Sequence, residues 1–139
     1  MSPVEFLLNI AWLVLGGAVS AIGWFVAALV MVITIIGIPW ARAAFDNGVY
    51  TLWPFGARAV PSERVYGRNY AAGPFAMLGN IIWLVLAGWW LAFGHLIAAI
   101  LLGLTIIGLP FAWAHLKLAG FALWPIGKSI ISDDLYSRL

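Results

Sequence analysis

The chain has no cysteine among its 139 residues. That excludes a disulfide framework, a thiolate nucleophile and sulfur ligands for a metal. Charge is scarce too. Seven Lys and Arg stand against five Asp and Glu, 9% of the chain, where a soluble domain carries about a quarter. No basic run is present that would follow a nucleic-acid backbone, so no nucleic-acid partner is expected. Asp46 is the sole acid between Glu5 and Glu63. There is no Gly-rich phosphate loop, no His-Glu-x-x-His and no Ser/His/Asp constellation. Neither an enzyme nor a cofactor or metal site is expected from such a set.

What fills the chain instead is hydrocarbon, with 65% of residues hydrophobic. Phe6 to Pro39 contains no charged residue, and from Gly79 to Phe111 His95 is the one titratable side chain. Apolar runs longer than about 18 residues read as membrane segments. The expected class is therefore an all-α integral membrane protein in contact with a lipid bilayer. Residues 1–21 offer small residues that suit signal cleavage ("AVSA"), but the leading stretch has Glu5 and no Lys or Arg. The same pattern also recurs inside the chain, so the N-terminus is read as part of the mature fold.

The recurrence is an internal duplication with an offset of 71 residues. Over positions 7–56 it gives 23 identities without a gap, including Gly, Pro and Trp that hydrophobicity alone would not supply. Asn9, Trp12 and Gly17 meet Asn80, Trp83 and Gly88. "TIIGIPW" (34–40) meets "TIIGLPF" (105–111), and Trp53-Pro54-Phe55-Gly56 meets Trp124-Pro125-Ile126-Gly127. Two tandem pseudo-repeats in one orientation are expected, 1–70 and 71–139, together forming one membrane domain. In each, a long apolar block is followed by the break Gly37-x-Pro39 or Gly108-x-Pro110. A shorter amphipathic helix comes next and closes at Trp53 or Trp124. Gly after a helix end and Pro at the start of the next match the known preferences, so the break ends one helix and aims another.

The turning point of each unit has two readings. The 31-residue block of the first, about 46 Å as a helix, can be one long kinked helix with 39–55 returning. Alternatively it turns at "GGAVSAIGW" (16–24) as an apolar hairpin, leaving 39–55 at the interface. Arg42, Asp46 and Asn47 make 39–55 a poor spanning segment, which favours the hairpin. An even number of crossings gathers both termini and the 57–72 connector, with nearly all the positive charge, on one side. The positive-inside rule makes that side cytoplasmic.

The segments "LGG…GW" (15–17, 23–24), "NIIWLVLAGWWL" (80–91), "TIIGLPFA" (105–112) and "FALWPIGKSI" (121–130) resemble the YccF family of small bacterial inner-membrane proteins, over about residues 4–131. The resemblance implies a multi-pass inner-membrane location. It brings no settled biochemical activity and no catalytic residues, and some relatives look like one membrane module of larger proteins.

Site candidates therefore stand on the residues themselves. His95 falls where the first unit has Trp24. An ionisable group at membrane depth is a functional candidate, against the blander reading that His95, with Trp89 and Trp90 near it, marks an interfacial turn. Arg42 and Asp46, four apart, suit an ion pair on one helix face. His115 and Lys117 stand on the second amphipathic helix, as pathway lining or as charges snorkelling from an interfacial helix. Asp46 and Lys117 are equivalent positions of opposite charge and would pair if their helices line a shared axis. Asn9 and Asn80 read as interhelical glue, and the tryptophans as an interfacial belt. The function these features suggest is a homo-oligomeric channel or transporter-like component for an ion or small solute. The alternative is a non-transporting module that scaffolds or regulates partners, or shapes the bilayer.

Overall fold

A computed structural model describes residues 2–67 and 73–139. Arg68, the end of the 57–72 connector and the unit boundary expected at 70/71 lie outside the described residues. The chain opens with a capping box: Ser2 Oγ accepts from the Glu5 backbone N–H at 3.1 Å, and the Glu5 carboxylate accepts from the Ser2 N–H at 2.7 Å. This satisfies two donors that a helix start leaves unpaired, and Pro3 occupies a position where no donor is needed. Helix α1 (Pro3–Trp12) then runs through a π segment (Leu13–Gly17) into α2 (Ala18–Ile33). A tight turn leads to α3 (Ile38–Leu52), β1 (Ala57–Pro61) and a short α4 (Ser62–Tyr66). The order recurs as α5 (Pro74–Trp83), a π segment (Leu84–Gly88), α6 (Trp89–Gly103), α7 (Leu109–Leu123), β2 (Lys128–Ser132) and α8 (Asp133–Ser137).

The long-helix reading holds, and the reversal favoured at 16–24 does not occur. Gly16 takes φ 130°, ψ −6°, which breaks the helix axis, yet the chain continues as α2 in the same sense. A π segment inserts one extra residue, and that produces a bend rather than a turn. The reversal comes at 34–37 and 105–108. There a Cβ on Gly37 would come within 2.6 Å of Met31 O, and one on Gly108 would overlap the Leu102 carbonyl oxygen. Only glycine lets the chain fold back this tightly. Pro39 and Pro110 follow in the first turn of α3 and α7.

The returning helices pack in antiparallel order along the long ones. Gly48 meets Phe25, and Gly103 lies near Ala112. Two side chains lock each return. Asn9 Nδ2 donates to Phe55 O and its Oδ1 accepts from Phe55 N, at 2.9 and 3.0 Å, while Trp12 Nε1 donates to Thr51 O at 2.7 Å. Asn80 makes both bonds to Ile126, and Trp83 donates to Ala122 O. The asparagines are thus glue to backbone within their own half rather than between helix side chains.

The all-α expectation needs a correction. β1 and β2 form a two-stranded antiparallel ribbon in the register Ala57↔Ser132, Ala59↔Ile130 and Pro61↔Lys128. The ends are sealed by Ser62 N–H to Gly127 O and Asp133 N–H to Gly56 O, both at 2.9 Å. The tryptophan belt is also only partial. Trp12, Trp24, Trp40 and Trp83 are core residues, whereas Trp89, Trp113 and Trp124 are exposed.

Pro3–Ile33 and Pro74–Gly103 are long and apolar enough to cross a membrane, with mean hydropathy 2.2 and 2.0 over their most apolar windows. Only 22% and 28% of those windows is buried inside the protein. The core helix of a soluble domain would be mostly buried.

Gly17 separates packing from propensity in a way that can be measured. A Cβ there would overlap the Trp12 indole, whereas one at Gly94 meets nothing within 4 Å. Gly17→Ala should lose about 1–3 kcal/mol, seen as a lower unfolding temperature in detergent. Gly94→Ala should hold or gain slightly through helix propensity.

Candidate functional site

The two halves meet around an aromatic stack. The Trp24 and Trp83 rings lie 5.4 Å apart and 18° from parallel, with Phe121 against Trp24 at 5.9 Å. Return helices also cross between halves: Trp40 packs on Phe75, and Phe111 on Phe55. Ala27, Ala44 and Ala87 fill the remaining gaps.

Inside this core lies a polar chain of three rings. Trp24 Nε1 donates to His95 Nε2 at 3.1 Å, and His95 Nδ1 lies 3.0 Å from His115 Nδ1. The His115 ring sits against Trp12, centroid to centroid 4.5 Å. His115 is 1% exposed and its Nε2 has no protein hydrogen-bond partner. His95 is therefore not at an interfacial turn: α6 carries it inward, and it is buried. His115 does not share the polar face of Lys117, because a two-residue step on a helix turns the side chain by about 200°. No group of three or more His, Asp or Glu that would hold a metal occurs among the described residues.

Above the histidines a cleft of about 480 Å³ opens between α2 and α6, with Gly16, Ser20, Gly94 and Ala98 among its walls. Trp24 and Ser20 were not site candidates from sequence, and Gly16 was read only as a place for a bend or turn. The signal was nonetheless there, since the alignment of the two halves sets Trp24 against His95 and Ser20 against Leu91.

The other candidates lie at the rim. Arg42 Nε approaches Asp46 Oδ2 at 3.8 Å, the expected pair, with the Arg42 side chain 91% exposed. Asp46 shares a surface cavity with Lys128, whereas Lys117 lines another with Glu5 and Asp133. No ion pair joins Asp46 to Lys117 among the described residues; each helix presents its charge to a different groove. Around the ribbon, Arg58 binds Asp133 at 2.5 Å and stacks 4.2 Å over Tyr136. That bond raises the guanidinium pKa, and the hydrogen bond from Arg64 holds the Tyr136 phenol below its usual 10.

Two long apolar helices, each followed by a shorter one and burying little of their surface within the protein, suit a membrane-associated protein. The chain belongs to the YccF family: the family model, described as an inner membrane component domain, matches at residues 7–57 and again at 78–128. It is similar to Inner membrane protein YccF of Escherichia coli (strain K12), 34% identical over 91% of this chain and 87% of the relative. The Shigella flexneri protein of the same name gives the same figures. No solved structure matches.

The separation of Asp46 from Lys117 has a thermodynamic signature. Asp46→Lys and Lys117→Asp should each cost at most about 1 kcal/mol, as exposed charges do. Their losses should add in the double swap, as they do for residues that do not touch. Restored thermal stability in the double variant would show that they meet.

Proposed function

We propose that the chain is a non-conducting membrane module made of two copies of one hairpin in the same orientation. Both hairpins enter the bilayer from the cytoplasmic face and turn inside it. The observation that carries this reading is the chemistry of the tips. Ile35 and Ile106 are 74% and 87% exposed, and Ile36 and Ile107 lie open beside them. The hydroxyls of Thr34 and Thr105 donate back to Met31 O and Leu102 O. A turn surfacing in water would carry polar residues, and this one suits hydrocarbon.

Length supports the same depth. Each return helix has 15 residues, about 22 Å, short of a core about 30 Å thick. The shorter limb limits how far a hairpin reaches. Charged Arg42, Asp46 and Lys117 then lie between the tip and the polar end; the Arg42 and Lys117 side chains are long enough to reach headgroups, and Asp46 stands beside Arg42.

Several contacts support the duplication. The Asn and Trp clamps recur 71 residues apart, and Ala59 pairs with its own counterpart Ile130 at the centre of the ribbon. A pseudo-twofold axis along the membrane normal fits that pairing. On this axis the Trp24–Trp83 stack, Ala27 and Met31 leave no continuous polar path. The filled axis supports a module with a rigid cytoplasmic ribbon for partners over a channel or transporter, and such a module needs no self-association to complete a pathway.

With no native cysteine, single cysteines report without background. In intact cells, Cys at Ser2, Glu63 or Ser137 should resist an impermeant thiol reagent and should react in inverted vesicles. Cys at Ile36 or Ile107 should resist from both sides, and a fluorophore there should be quenched best by deep lipid-borne nitroxides. Proteoliposomes should leak protons and potassium no faster than empty vesicles. Periplasmic labelling of a tip, or a protein-dependent flux, would overturn this reading.

A further inference from the structure

The three-ring chain at the centre has a direction. Indole N–H is a donor only, so His95 Nε2, which receives it, carries no proton. A neutral imidazole has one N–H, which places the His95 proton on Nδ1, facing His115 Nδ1 at 3.0 Å. His115 Nδ1 must then accept, and its own proton sits on Nε2. That atom has no protein partner although the side chain is almost fully buried. It lies 3.9 Å from where a Cβ on Gly16 would be, at the wall of the 480 Å³ cleft. In hydrocarbon an unpaired donor costs several kcal/mol; Trp40 Nε1 also lacks a partner, but Trp40 does not line the cleft, whereas the oriented His115 N–H stands beside it.

The cleft itself comes from differences between the halves. The second half carries Ala87, Leu91 and His95 where the first has Gly16, Ser20 and Trp24. Leu91 is buried and fills its side of the core, whereas Ser20 leaves its side open. His115 replaces Ala44, which is packed without a gap. The donor and the space next to it were therefore introduced in the same place. The mouth is framed by exposed Val19 and Leu101, so whatever enters comes from the bilayer rather than from water.

We propose that this cleft is a binding site for a lipophilic molecule carrying a carbonyl acceptor, with its oxygen taking the His115 Nε2–H and its apolar body lying between α2 and α6. Two membrane compounds share that chemistry: the ester carbonyl of a phospholipid and the ring carbonyl of a quinone. The proposal rests on the helices lying in hydrocarbon and not on where the hairpin tips end, so it survives or fails separately from the entry of both hairpins by one face.

The chain has two histidines and both are in this site, which makes ¹⁵N-histidine labelling of the full chain in nanodiscs a direct test. In ether-linked lipid, which has no carbonyl, His95 should show its proton on Nδ1 and His115 on Nε2. Adding a benzoquinone with one isoprenoid unit should move the His115 Nε2–H resonance and leave the tautomers unchanged. A shift on exchanging ether-linked for ester-linked lipid, without quinone, identifies the lipid carbonyl as occupant and equally supports the site. Ser20→Leu, copying Leu91, should lose both responses. Gly94→Leu, which projects from another wall, should lose them as well and serves if the first variant does not fold. The proposal is overturned by a His115 proton on Nδ1, by no shift with either carbonyl source, or by filled-cleft variants that respond like the parent.

Discussion

A backbone polar group buried inside a protein must find its partner there, and the rest of this fold depends on how that demand is met where the return helices end. At Trp53 the backbone leaves the helix with φ −142°, ψ 68°, which frees the last carbonyls. Trp12 covers Thr51 O and Asn9 holds both polar groups of Phe55. With Phe55 fixed, Gly56 is placed to accept from Asp133, and β1 begins one residue later. The ribbon register thus depends on an amide buried on a helix 46 residues earlier in the chain. Loss of Asn9 would cost more than two hydrogen bonds to the extent that the partly buried groups it leaves go unsatisfied.

The clamp also explains why tryptophan is central here and not confined to the interfaces. An indole supplies a wide apolar face with one donor at its edge. Trp12 and Trp83 spend that donor on backbone oxygens, and Trp24 on His95. The small residues Ala27, Ala44 and Ala87 are the complement, because rings of this size fit between helices only where the opposite positions are nearly bare.

The elements legible in the sequence were those whose signal is local. Gly-x-Pro marks a break because of what those residues do to their own backbone, and the structure turns there. The glycines at 16–17 were visible as a weak point, but bend and reversal both begin with a weak point. What decides between them is Trp12, whose partner Thr51 lies 39 residues away. The ribbon left no local trace either. Its strands are five residues long, one ends in Pro61, and each partner lies 67 to 75 residues away by the register. His95 and His115 were visible as residues out of place in hydrocarbon. That they touch follows only from α6 and α7 folding on each other at the second Gly-x-Pro turn. Asp46 and Lys117 show the opposite failure, since matching positions in two similar stretches of sequence do not imply contact.

On the proposed duplication, the two halves together record which positions packing alone explains. Where both halves keep a residue, as with Asn9 and Asn80 or Gly37 and Gly108, the residue holds a hairpin together and either copy needs it. Where they differ in the core, one copy shows what packing accepts. Ala44 is buried and satisfied, so α7 had no structural need of an imidazole at 115; Leu91 is buried, so α2 had no structural need of a hydroxyl at 20. Both departures lie on the wall of one cleft, with Trp24 and His95 hydrogen-bonded behind it. Stability alone favours Leu over Ser and Ala over an unpaired His in such a place. A polar, hollow flank on one side of an otherwise matched pair costs stability, and occupancy by an acceptor-bearing apolar molecule is the condition under which that cost is recovered.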